Sequence, residues 1–223
     1  MSSLYRYFSE KNALAFFRNG EVLFRALSYF RNYEDGEVRG DKFEGTLVHL
    51  PDNGLVAKNV NTGEETLLSR RFESTAKKED DIFVYCMSQT LSAELAERFK
   101  AEVVVEITNP AKFLNLVRSA LSLRKRFIVN QLTHEPVKYY EWNEPPIADW
   151  ALPERITMRK PKMFEWQREY RLAVPIGDAF DVHNVNTNLV PVNHFRTSEA
   201  KSYPKQLFRL GNLSKICRVH SMK

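Results

Sequence analysis

The longest nearly unbroken apolar run in the chain is Ile82-Phe83-Val84-Tyr85-Cys86-Met87. With Asp81 before it and the polar Ser88-Gln89-Thr90 after it, the run reads as a buried strand. A second pattern lies at Phe164 to Val174. There Tyr170, Leu172 and Val174 alternate with Glu169, Arg171 and Ala173. Read as one strand from Phe164 onward, this segment puts Gln167, Glu169 and Arg171 on one face and Trp166, Tyr170 and Leu172 on the other, because side chains two apart point the same way. The polar row has two readings. It is either the solvated face of an edge strand, with Glu169 and Arg171 paired at the surface, or a row of groups placed for chemistry.

The rest of the chain follows in order. Leu4 to Phe8 reads as a short strand. Ser9 is placed to cap a helix carrying Leu14 and Phe17, and Asn19-Gly20 to stop it. Val22 to Leu27 reads as a second strand. Residues 28 to 45, rich in aromatic and charged side chains and without a period, read as a long functional loop beside a ligand, with Tyr29 among its rings. Asp52-Asn53-Gly54 and Asn61-Thr62-Gly63 are turn signals, so residues 46 to 70 read as a hairpin excursion. Ser92 is a cap for a helix to about Phe99. Val103 to Ile107 is a strand. Asn109-Pro110 opens a helix that buries Phe113, Val117 and Leu121. Val137 to Tyr140 adds a strand, and residues 141 to 155 an ordered loop. About eight strands and about four helices are expected in one α+β domain spanning residues 1–223.

Composition narrows the class. Hydrophobic residues make up 43% and aromatic residues 12%, enough for a core and against disorder. The two cysteines, Cys86 and Cys217, rule out a disulfide scaffold and give no zinc-ligand spacing. Cys86 reads as a small core residue. The opening Met-Ser-Ser-Leu-Tyr-Arg is no signal peptide, and no apolar run has the length of a membrane span, so a cytoplasmic protein is expected. The net charge of +5 suits an anionic ligand. Two basic clusters, Arg124-Lys125-Arg126 and Arg159-Lys160-Pro161-Lys162, are either solvated rims or the lining of a nucleic-acid groove. Asp41 and Glu44 are candidate carboxylates for a metal-dependent nuclease with Glu169, although no metal is expected in the preferred reading. Arg6, between Tyr5 and Tyr7, is either a surface arginine or a fork for phosphate or ribose with rings on both sides.

Two resemblances follow from these residues. The opening Leu-Tyr-Arg-Tyr, the strand with its Cys-Met-Ser end and the closing Glu-Tyr-Arg-Leu resemble an uncharacterised bacterial family often found near phage-defence genes. The order Arg6, Ser88-Gln89-Thr90 and Gln167-Arg168-Glu169 resembles the arginine–serine–glutamate class of ADP-ribosyltransferases, with Arg25 as an alternative to Arg6. That resemblance implies a split, mostly antiparallel β-sheet flanked by helices and NAD as substrate. It implies Glu169 as the carboxylate that stabilises a cationic ribose, and Gln167 as the group orienting a macromolecular acceptor, DNA or RNA among the candidates. Ser88 and Thr90 would hold Glu169 or the ribose, and Arg6, Tyr7 and Tyr29 the rest of the nucleotide. A defence or toxin setting, transfer or hydrolysis of NAD, and a partner protein in a defence complex are further implications. Alternatives are a nucleic-acid-binding or nuclease domain and a non-catalytic interaction module. Replacing Glu169 by glutamine, nearly equal in volume, is expected to leave folding intact.

Overall fold

The structure is a computed structural model that describes residues 2–31, 42–193 and 202–222. In chain order the first elements are β1 (Leu4–Phe8), α1 (Glu10–Asn19), β2 (Glu21–Ala26) and α2 (Leu27–Arg31). Gly20 ends α1 with φ of 62°, a left-handed conformation that suits glycine, and its N–H bonds back to the last turn. Next come β3 (Thr46–His49), β4 (Leu55–Lys58), β5 (Glu65–Leu68), β6 (Arg70–Ala76) and β7 (Ile82–Ser88). They are followed by α3 (Ala93–Arg98), β8 (Val103–Ile107), α4 (Pro110–Ser122), β9 (Thr133–Pro136) and β10 (Lys138–Tyr140). The chain continues through α5 (Pro153–Thr157), β11 (Arg159–Pro161), β12 (Glu169–Pro175), β13 (Val185–Pro191), β14 (Lys205–Arg209) and β15 (Cys217–Ser221). The expected caps form at α3 and α4: Ser92 Oγ accepts from Leu95 N–H and Asn109 Oδ1 from Lys112 N–H. Ser9 precedes α1 without a side-chain cap bond. The expected count of about eight strands falls short of the fifteen among the described residues, because mostly exposed strands such as β4, β5 and β13 carry little apolar period.

The class is α+β with mostly antiparallel sheets. The run at residues 82–88 forms the axis of an eight-stranded sheet. Along one edge, β7 pairs with β12 over its whole length, from Ile82↔Pro175 to Ser88↔Glu169. Its other edge is shared. β2 pairs with it at Phe83 and Val84, and β1 at Ser88. Between those pairings the sheet is split, and a side chain fills the gap: Arg6 Nη1 donates to the Cys86 carbonyl at 2.8 Å. β14 extends the β2 half; β8 and then β15 extend the β1 half.

The two faces of this sheet carry different cores. Phe83, Tyr85, Met87, Tyr170, Leu172 and Val174 pack with Phe16 of α1 and Phe113, Val117 and Leu121 of α4. On the reverse face, Ile82, Val84 and Ala173 pack with Leu27, Ala76 and Met158. Ala76 belongs to a three-stranded sheet of order β13-β6-β3. The excursion predicted at residues 46–70 is smaller than expected. Residues 46–49 join that sheet as β3, and only β4 and β5 project, joined by the turn at Asn59–Gly63. Within residues 28–45, Leu27–Arg31 is helical and Glu44 is buried; residues 32–41, including Asp41, lie outside the described residues.

Candidate functional site

The strand expected from Phe164 begins only at Glu169. Lys162 to Gln167 form a 3-10 helix, and Arg168 turns the chain with φ of 45° and ψ of 47°. A non-glycine residue held there is strained, and such strain concentrates where the surrounding structure fixes a geometry. Trp166 leaves the Tyr170/Leu172 face altogether and packs on Phe99, with the Arg98 guanidinium 4.7 Å above its ring. Gln167 and Glu169 therefore share no strand face. They meet instead through Lys160, whose Nζ donates to Gln167 Oε1 and to Glu169 Oε2, each at 2.9 Å.

Glu169 and Arg171 do share the reverse face of β12, in contact across 2.7 Å from Nε to Oε1. The pair is not at the surface. Every residue of β12 is buried, since β7 and β9 flank it, and Arg171 has no exposed area. Arg171 continues to Glu44, Nη1 to Oε1 at 2.5 Å and Nη2 to Oε2 at 3.2 Å, and to the Thr157 carbonyl at 2.5 Å. Lys160 Nζ stands 3.7 Å from Glu44 Oε2. Two carboxylates and two cations thus form a neutral set hidden from water. Such a set holds only while each charge keeps its partner. Glu44, considered above as a metal ligand, has its carboxylate oxygens held by Arg171. Lys160, read from sequence as part of a solvated basic cluster, is 3% exposed. Its neighbours Arg159 and Lys162 are paired with Asp149 and Glu141.

The electrostatics follow from this packing. Burial acts to raise the Glu169 pKa, yet the charges of Arg171 and Lys160 outweigh it and hold the carboxyl well below its ordinary range. The Cys86 thiol, beside Glu169, is pushed far up by burial and by that carboxylate's charge, which leaves it inert. Tyr139 accepts the Glu169 N–H at 2.9 Å, and its hydroxyl is raised to about 12 by burial and by the Glu169 charge. The same charge balance corrects the expectation for Glu169→Gln. The amide matches the volume, but it leaves Arg171 and Lys160 facing one carboxylate in a buried site.

The remaining candidates divide into two groups. Register places Tyr5, Ser88 and Glu169 side by side on three adjacent strands. Ser88 Oγ donates to the Gln167 carbonyl at 3.0 Å and accepts from Thr90 N–H at 3.2 Å, tying the end of β7 to the turn before β12. Tyr7 is buried, donating to the Thr90 carbonyl at 2.7 Å and accepting from Ser92 N–H at 3.0 Å. Arg6, by contrast, lies on the opposite face, between the rings of Phe8 and Tyr85 at 5.5 and 5.1 Å. Its Nε and the Tyr85 hydroxyl are buried without hydrogen-bond partners. Tyr29 lies at the other end of the split, under the Arg25 guanidinium at 4.0 Å and near Tyr203. Arg25 pairs with Val84 on β7, four residues before Ser88. The structure thus gathers Gln167, Glu169, Ser88, Thr90 and Tyr7 and leaves Arg6 and Tyr29 apart from them. Sequence reading missed Lys160 as a member of the cluster and set Glu44 beside Glu169 only as a metal ligand. The signal available for Lys160 was its setting between Arg159 and Pro161 just upstream of Gln167.

No family model, curated protein or solved structure matches this chain. Among the described residues no helix is long and apolar enough to cross a membrane. The polar cluster at the head of β12 is therefore read from its geometry alone.

Proposed function

We propose that this chain is an NAD-cleaving domain of the ADP-ribosyltransferase type, transferring ADP-ribose to a macromolecular acceptor or to water. One observation carries the reading. In a sheet split at β7, register aligns Tyr5, Ser88 and Glu169 on adjacent strands, and the Gln167 amide is joined to the Glu169 carboxylate through a shared cation. In the proposed reaction the bond from ribose C1′ to the nicotinamide nitrogen breaks. Nicotinamide leaves with the electron pair, and positive charge develops on the ribose. The Glu169 carboxylate, kept ionised by its surroundings, stabilises that charge. The acceptor then adds to C1′ and loses a proton. Gln167 orients the acceptor, and Ser88, itself bonded by the Thr90 N–H, fixes the turn that carries both residues. Nucleic acid is the acceptor that suits a net charge of +5. A bacterial defence setting rests on the family resemblance of the scattered motifs.

The nuclease alternative loses ground because Glu44 is engaged by Arg171. The test is nicotinamide release from NAD by the intact protein, in the presence of mixed protein, DNA and RNA, with acceptor labelling followed in parallel. The wild type is expected to release nicotinamide. Glu169→Gln is expected to lower the rate by about 10²–10³ under conditions where its circular dichroism shows a folded protein. Gln167→Ala is expected to retain hydrolysis and lose acceptor labelling. Wild-type turnover matched by a folded Glu169→Gln protein would remove the reading.

A further inference from the structure

We propose that Lys160 is an internal stand-in for the positively charged nicotinamide end of the substrate, an autoinhibitory contact that must withdraw before Glu169 can act. This inference rests on the NAD-cleavage reading above. The Lys160 ammonium lies between Gln167 Oε1 and Glu169 Oε2, 2.9 Å from each. It therefore occupies the space between the two groups to which acceptor orientation and charge stabilisation are assigned. The two carboxylate oxygens of Glu169 are held differently. Oε1 faces Arg171 Nε at 2.7 Å, and Oε2 faces Lys160. Withdrawal of Lys160 would remove its bonds to Glu169 Oε2 and Gln167 Oε1 together, while Arg171 keeps its bond to Glu169 Oε1.

The two cations also sit on elements of unequal anchorage. Arg171 belongs to β12, bonded on both edges within the large sheet. Lys160 belongs to β11, three residues long and paired with the three residues of β10 in a separate two-stranded sheet. A short two-stranded element has few hydrogen bonds to break, and segments of that kind open at lower free energy than sheet cores. Its neighbours are the five-residue helix α5 on one side and the 3-10 helix to Gln167 on the other. A shift of β11 would thus remove the Lys160 cation from Glu169 and leave the carboxylate in place. The opening is driven by what NAD gains by placing its positively charged nicotinamide ring near Oε2, since a ligand shifts an equilibrium by its differential affinity for the two states.

Two measurements test this. The first compares nicotinamide release by the wild type and Lys160→Met, which keeps the length of the side chain and removes its charge. The variant is expected to release nicotinamide about tenfold faster or more. A folded Lys160→Met protein no faster than an active wild type overturns the latch and leaves the NAD reading standing. If neither protein releases nicotinamide nor binds NAD by calorimetry, both fall. The second measurement uses the wild type alone and decides the matter if the variant does not fold. Amine acetylation mapped by mass spectrometry is expected to spare Lys160 in the free protein and to modify it when NAD is saturating. Equal or lower modification of Lys160 with NAD present overturns the proposal.

Discussion

On one face of β12, Tyr170, Leu172 and Val174 are sealed against α1 and α4. On the other face of the same strand, Glu169 and Arg171 are sealed as completely, against Glu44, Lys160 and the Thr157 carbonyl. The apolar face is stabilised by every atom it removes from water, and its members act nearly independently. The charged face owes its stability to pairing, so its members act as a unit. Burial alone does not tell the two faces apart; what happens when one member is removed does.

The largest expected effect is on the charged face. Arg171→Met leaves Glu44 and Glu169 to share Lys160 and is expected to cost about 3–5 kcal/mol in urea unfolding. Replacing Glu44, Lys160, Glu169 and Arg171 together by apolar residues of similar volume is expected to recover most of that loss. A single replacement as mild as a surface change would break the comparison. Leu172→Ala, on the apolar face, is expected to cost about 3 kcal/mol, from lost transfer energy and the cavity left behind. It should do so without altering the dependence of stability on pH.

That dependence is the third prediction. The Glu169 carboxyl is depressed in the folded protein, so its contribution is fully present above the ordinary carboxyl value of 4.5 and is lost as the pH falls below it. Glu106, depressed by its hydrogen bonds to His220 and Ser3, acts in the same direction. Urea midpoints should hold steady from about pH 7 to about pH 5 and then fall. Removing Arg171 should flatten that fall, and an unchanged slope would remove Glu169 from the account. The smallest effect is reserved for the hairpin. Lys58 and Glu65 pair at 3.3 Å while largely exposed, and Lys58→Ala is expected to cost about 0–1 kcal/mol.

The apolar face was legible in the sequence; of the charged face, the Glu169–Arg171 pair was legible and its burial was not. Ile82 to Met87 is a continuous apolar run, and Tyr170, Leu172 and Val174 keep a two-residue period; both became strands of the central sheet. Asn109-Pro110 and Gly20 signalled helix ends by local chemistry, which needs no tertiary information. Gln167 and Glu169 were expected together and are together, but by way of Lys160 and a left-handed turn at Arg168. That turn cannot be seen from residue type, because arginine has no preference for positive φ. The ion pairs of Lys160 and Glu44 were not legible for a related reason. A charged residue reads as surface until its partner is known; the partners of Lys160 lie beyond a turn, and Arg171 lies 127 positions from Glu44. The row Tyr5–Ser88–Glu169 was legible only as an order of motifs; its alignment is a matter of register.

The ion pair between Glu44 and Arg171 spans 127 positions, and that separation has a kinetic consequence. At about 5–20 residues per second, a ribosome needs about 6–25 s to bring Arg171 out after Glu44. Until Lys160 emerges near the end of that interval, Glu44 has neither cation to meet, and burying it alone is costly. The edge of β7 that will receive β12 stays open for most of the same time. The central sheet therefore closes late in synthesis, around a long loop whose entropy must be overcome first. A nascent chain paused before Arg171 presents an apolar strand edge and a solvated carboxylate, a state that a holding chaperone can recognise and that the finished fold conceals.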